Sequence, residues 1–121
     1  MRIQGRSILI VEDEPIIALA LEDLLVGQGA TVHHASHLED AHRLLASVEL
    51  DAAILDVKVH GCLSYPVATE LKERSIPFIF ATGYGDGSHP DEFRSVPTIA
   101  KPYSAEEIGR ALAQSAAAPS A

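Results

Sequence analysis

The sequence predicts an α/β domain built on a doubly wound parallel sheet, and three observations lead there. Five short apolar runs recur along the 121 residues, at 7–11, 31–35, 52–55, 77–81 and 97–100. Three of them, ILIV, AAIL and FIFA, are apolar without interruption, the pattern of strands covered on both faces. Between the runs lie segments with helical periodicity and helix-start residues, so strand and helix alternate along the chain.

The first strand, 7–11, stops abruptly at three acids, Glu12, Asp13 and Glu14. Pro15 then fits the first position of a helix, whose face is Ile17, Leu21, Leu24 and Leu25 and whose end is marked by Gly29. The second run, 31–35, alternates weakly, and Ser36 with Glu39 forms the Ser-x-x-Glu capping box of the next helix. The third run ends at Asp56. Ser64 can cap a shorter helix through Lys72, with Pro66 tolerated in its first turn. After the fourth run comes Thr82, then GYGDGSHPDEFRSV from Gly83 to Val96, whose glycines and proline leave room for only a short or irregular fourth helix. The fifth run leads to Lys101-Pro102, and Ser104 with Glu107 repeats the capping box before the last helix. With right-handed crossovers, five strands in this order form a flavodoxin-like sheet of order 2-1-3-4-5.

One domain over residues 1–121 is expected, with flexible ends at about 1–6 and 117–121. A net charge of −8, from 9 basic against 17 acidic residues, offers no electrostatic footprint for nucleic acid or an anionic membrane, so neither direct DNA binding nor membrane association is expected. The single cysteine, Cys62, excludes an internal disulfide. The start MRIQGRS lacks a signal peptide's apolar stretch and no run reaches transmembrane length, which makes the cytoplasm the expected location.

The chemistry gathers at the carboxyl ends of the strands: Glu12 and Asp13 after the first, Asp56 after the third, Thr82 after the fourth, Lys101 after the fifth. In an open α/β sheet the ligand crevice lies outside those ends, here between strands one and three. Crowded acids repel, and a cation relieves them. Mg²⁺ takes hard oxygen ligands, so Asp13 and Asp56 suit direct coordination, Glu12 acts through water, and the backbone carbonyl of Lys58 completes the shell. Phosphoryl transfer asks for positioning and charge neutralisation: Asp56 is the candidate phosphoacceptor, with Lys101 and the Thr82 hydroxyl on the phosphoryl oxygens.

At these residues the chain resembles the receiver domain of bacterial two-component response regulators. The resemblance rests on Glu12-Asp13, Asp56 ending AAILD, Thr82 ending FIFAT, and Lys101-Pro102 after TIA. Within receivers, PFIFATGYG and LSYPVA look like the group nicknamed FAT GUY, often stand-alone receivers or stress-signalling regulators fed by histidine kinases. The resemblance implies a single-domain response regulator that takes a phosphoryl group from a sensor histidine kinase, acts on a downstream or competing signalling protein, and catalyses only its own phosphorylation and dephosphorylation. It also implies a cis peptide between Lys101 and Pro102. Two positions depart from the pattern: Thr98 stands where many receivers carry a switch aromatic, and Lys58 stands where the group commonly has Asn. The switch candidates are therefore Thr82, Gly83 and Tyr84, with the segment from Gly83 to Val96 as the expected moving part.

Rival readings fit less well. A haloacid dehalogenase-type phosphatase needs a second acid two positions after Asp56, where Lys58 stands, and a flavin mononucleotide binder needs a hydroxyl- and glycine-rich loop where the chain puts three acids. The remaining alternative is a receiver-like protein-binding module that is never phosphorylated. His33, His34, His37 and His42 lack a metal-ligand spacing and read as a solvated or edge cluster, His60 as a loop histidine, and Cys62 as an inert loop thiol.

Overall fold

The computed structural model describes residues 2–82, 90–93, 95–100 and 104–117. In chain order the elements are β1 (Ser7–Val11), α1 (Pro15–Gly27), β2 (Thr31–Ala35), α2 (Leu38–Ser47), β3 (Ala52–Asp56), β4 (Lys58–Val59), β5 (Cys62–Leu63), α3 (Tyr65–Glu73), β6 (Phe78–Thr82), a 3₁₀ turn at Asp91–Phe93, β7 (Thr98–Ala100) and α4 (Ala105–Ala117). Five strands form one parallel sheet in the order β2-β1-β3-β6-β7, the order expected from the sequence, while β4 and β5 pair as a separate hairpin.

The continuously apolar runs are explained by what each face meets. Side chains alternate across a strand. Leu9 and Val11 of β1, Ala53 and Leu55 of β3, and Phe78 and Phe80 of β6 enter a core shared with α2 and α3. Ile8 and Ile10, Ala52 and Ile54, and Ile79 and Ala81 enter a second core with α1 and α4. Full burial of one large aliphatic side chain contributes about 1.5–3 kcal/mol, so β1 and β3, buried along both faces, anchor the sheet. β2 is an edge strand, which accounts for its weaker alternation. Ahead of β1, Ile3 is buried and the Gly5 N–H donates to the Gly29 carbonyl at 2.9 Å, so residues 3–6 pack with the fold.

Pro15 opens α1, and its end is closed by the Gly29 N–H on the Val26 carbonyl and the Ala30 N–H on the Leu25 carbonyl. Gly29 has φ +90°, and a Cβ there would lie 2.9 Å from Gln4 Cγ, so both backbone and space require glycine. The Ser104–Glu107 capping box forms as expected, with the Glu107 N–H on Ser104 Oγ at 3.2 Å and the Ser104 N–H on Glu107 Oε1 at 3.4 Å.

The other two caps differ from expectation. The N-cap of α2 is His37, and Ser36 Oγ shares a 3.1 Å hydrogen bond with His37 Nδ1, so the helix starts one residue later than the Ser36–Glu39 spacing implies. Ser64 does sit at the N-cap of α3. Its ψ of 5° is not the extended conformation that lets a side chain reach the first turn, and its buried hydroxyl makes no capping bond.

Between β6 and β7 the 3₁₀ turn is the short irregular element anticipated there. Phe93 is fully buried, stacked on Tyr65 at 5.5 Å and edge-on to Phe80 at 5.9 Å, and Lys72 Nζ donates to the Glu92 carbonyl at 3.2 Å. Of the segment from Gly83 to Val96, the expected moving part, the described residues are 90–93 and 95–96, and Phe93 packs into the core. Residues 83–89 lie outside the described residues.

Candidate functional site

Strand register brings the acids together. Val11 pairs with Leu55, so the chain leaving β1 at Glu12 and Asp13 stands beside Asp56, the last residue of β3. Glu12 is buried, its N–H donating to the Ala35 carbonyl at 3.1 Å and its carbonyl accepting from His34 Nε2 at 2.8 Å, which ties the turn after β1 to β2. Asp13 and Asp56 are half-buried. Each of the three residues offers a carboxylate oxygen, and these oxygens all lie within 4.8 Å of one another. The donors are hard and anionic, which suits Mg²⁺ rather than a thiolate- or imidazole-preferring ion.

The connection between β3 and α3 is a hairpin with a two-residue loop. Lys58 pairs with Leu63 and Val59 with Cys62, and the Ser64 N–H closes the base on the Val57 carbonyl at 2.9 Å. Lys58 is exposed and Val59 buried. At the tip, the His60 N–H donates to Asp13 Oδ2 at 2.8 Å, a contact with one of the candidate ligands that sequence reasoning did not anticipate.

Asp56 pairs with Ala81, so Thr82 ends β6 one residue beyond the level of Asp56. Gly83, Tyr84, Lys101, Pro102 and the tail 118–121 lie outside the described residues, as does the Lys101–Pro102 peptide bond. Among the described residues, the strand-end residues brought together are thus Glu12, Asp13 and Asp56.

The histidines go to different partners. His34 binds the Glu12 carbonyl, His37 stacks on His60 with ring centres 4.2 Å apart, and His42 Nδ1 donates to Glu70 Oε1 at 2.6 Å. Glu70 also accepts from Arg74 at 2.9 Å, joining α2 to α3. Burial raises the Glu70 carboxyl, but the hydrogen bonds and charges of His42 and Arg74 outweigh it and hold the group below the ordinary glutamate value. Cys62 is an exposed free thiol on β5.

Comparison with known proteins agrees with this geometry. The family described as "Response regulator receiver domain" matches residues 8–113. The solution structure of SdrG from Sphingomonas melonis Fr1 is 42% identical, with a TM-score of 0.79, covering 94% of this chain and 98% of that one. The response regulator TrrA from Thermotoga maritima, solved in complex with Mg(2+)-BeF, is 25% identical with a TM-score of 0.78, covering 90% and 97%. Among curated proteins, the positive alginate biosynthesis regulatory protein of Pseudomonas aeruginosa is 31% identical over 112 residues, 88% of this chain and 45% of that protein. The chain spans less than half the length of the curated relatives it matches.

Proposed function

Because the chain belongs to the response regulator receiver domain family of two-component systems, we propose that it accepts a phosphoryl group from the phosphohistidine of a sensor histidine kinase onto Asp56 and signals through protein partners. The observation that carries this reading is the convergence of Glu12, Asp13 and Asp56 at the carboxyl ends of β1 and β3.

In the transfer, an Asp56 carboxylate oxygen attacks phosphorus, a new O–P bond forms, and the P–N bond to the kinase imidazole breaks with its electron pair leaving on nitrogen. Hydrolysis reverses the charge state: water attacks phosphorus, the O–P bond breaks, and the Asp56 carboxylate and inorganic phosphate are released. Asp13, Asp56 and the Lys58 carbonyl would hold Mg²⁺, with Glu12 acting through water, and the ion supplies neutralisation of the phosphoryl oxygens. Thr82 and Lys101 are assigned to those same oxygens, and Thr82, Gly83 and Tyr84 to the change that partners read. The chain's own chemistry is confined to gaining and losing this group, in the cytoplasm where the kinase's catalytic portion and ATP are found. A purely scaffolding role leaves three mutually repelling carboxylates without a purpose.

A phosphotransfer assay tests the proposal. Autophosphorylated histidine kinases carrying labelled phosphate are mixed with the protein and Mg²⁺. Label should pass to the wild type from at least one kinase, should require Mg²⁺, and should not pass to Asp56→Asn. Equal labelling of Asp56→Asn would refute the assignment.

A further inference from the structure

We propose that the His60–Gly61 turn is the positioning element of the metal site, holding Asp13 and presenting the Lys58 carbonyl through its backbone rather than through the imidazole. This inference rests on the reading of Glu12, Asp13 and Asp56 as Mg²⁺ ligands.

The loop has the geometry of a rigid part. His60 has φ +50° and Gly61 φ +76°, and positive φ at both central residues of a two-residue hairpin is the mark of a type I′ turn. The hairpin is clamped at its base by the Ser64–Val57 hydrogen bond, and its inward residue Val59 is buried in the core with Leu55 and Val67. Hydrogen-bonded and non-hydrogen-bonded pairs alternate along an antiparallel ladder. Val57–Ser64 is hydrogen-bonded and Val59–Cys62 closes the turn, so Lys58–Leu63 is a non-hydrogen-bonded pair whose Lys58 carbonyl projects away from β5. At the tip, the His60 amide meets Asp13 Oδ2 at 2.8 Å across 47 residues of sequence. One turn conformation therefore sets two groups: it orients the Asp13 carboxylate and keeps the Lys58 carbonyl out of the ladder.

The competing explanation is the side chain, because the His60 ring stacks on His37. Substitutions separate the two. Asn and Gly both tolerate positive φ and keep the amide while removing the imidazole, whereas β-branched Val disfavours that conformation. Gly61→Ala is a second probe of the backbone, since a Cβ at Gly61 meets nothing within 4 Å and the substitution strains φ without a clash.

The experiment is Mg²⁺ titration of the full chain by calorimetry, with far-UV circular dichroism to confirm folding of each variant. His60→Asn and His60→Gly should bind Mg²⁺ as the wild type does, while His60→Val and Gly61→Ala should bind about tenfold more weakly or worse, the usual loss when a ligand's supporting hydrogen bond is removed. In the wild type, the His60 amide proton resonance should shift on Asp13→Asn, which reads the contact without any change in the turn. If His60→Val unfolds the chain, Gly61→Ala and the amide resonance decide. The proposal is overturned if folded turn variants bind Mg²⁺ normally, if Asn and Gly lose as much affinity as Val, or if the His60 amide is indifferent to Asp13→Asn. A wild type that binds Mg²⁺ alongside insensitive turn variants defeats this inference alone; a wild type that binds no Mg²⁺ defeats the functional reading as well.

Discussion

Replacing Asp13 by Asn should stabilise the metal-free protein and abolish most of its response to Mg²⁺. Carboxylate oxygens of Glu12, Asp13 and Asp56 lie within 4.8 Å of one another. At that distance two unit charges repel by about 0.9 kcal/mol in a water-like dielectric and about 3.5 kcal/mol at an effective dielectric of 20. Asp13 is half-buried, so the lower end applies, and removing its charge relieves two such pairs for a gain of roughly 2 kcal/mol. Against this, the hydrogen bond from the His60 N–H to Asp13 Oδ2 loses its ionic partner, a cost of about 1 kcal/mol. The net gain of about 1 kcal/mol raises the melting temperature of a chain this size by about 4 °C. In the wild type, Mg²⁺ at a hundred times its dissociation constant should add about 2.7 kcal/mol, or about 10 °C. Circular dichroism melts at low ionic strength, first with a chelator and then across a Mg²⁺ series, read both effects. If Asp13→Asn melts below the wild type in chelator, or keeps the full Mg²⁺ increment, the account of the acid cluster is wrong.

Three further outcomes are expected. Phe93→Ala opens the aromatic cluster of Tyr65, Phe78 and Phe80 and should cost about 3–5 kcal/mol in urea unfolding; a loss under about 1 kcal/mol, the scale of a surface change, would show the 3₁₀ turn to be unanchored. Ile16 is 84% exposed at the start of α1, three residues after Asp13, where a kinase delivering a phosphoryl group to Asp56 would have to approach, so Ile16→Glu should leave the melting temperature nearly unchanged while slowing phosphotransfer from a kinase and not from acetyl phosphate; a kinase rate equal to that of the wild type would show that the kinase does not contact this end of α1. Glu70 is held below the ordinary glutamate value, so its contribution to stability is fully present above that value and is lost as pH falls through the lowered folded value. The stability difference between wild type and Glu70→Gln should therefore be present at neutral pH and close on acidification, and a difference that persists in strong acid contradicts the His42–Glu70–Arg74 link.

Most of the architecture was legible because the hydrophobic pattern and the strand ends agree. β1 and β2 fall on the expected residues, β3 and β7 differ from their apolar runs by one residue at one end, and β6 is shifted by one residue at both ends. The polar residue that stops an apolar run can still close the strand's ladder, as Asp56 and Thr82 do. The acid site followed from the same register. Caps were harder, because a Ser-x-x-Glu spacing does not reveal where the backbone turns: the Ser104 hydroxyl accepts from the Glu107 N–H in a working box, while the Ser36 hydroxyl binds His37 and the Ser64 hydroxyl is buried without a capping bond. The hairpin left one sequence signal, His60-Gly61 between the paired Lys58-Val59 and Cys62-Leu63. Its strands are only two residues long, too short for period-two patterning to declare them. The contact between the His60 amide and Asp13 involves a backbone donor, which no side-chain motif encodes.

The central claim is that Asp56 carries the phosphoryl group, and intact-mass spectrometry after incubation with acetyl phosphate tests it without any partner protein. The wild type should gain one phosphoryl group in the presence of Mg²⁺, lose it on treatment with hydroxylamine as an acyl phosphate does, and gain none when the metal is chelated; peptide mapping should place the group on Asp56, and Asp56→Asn should remain at its unmodified mass. A phosphoryl group that survives hydroxylamine, that maps to another residue, or that appears on Asp56→Asn to the same extent would contradict the account.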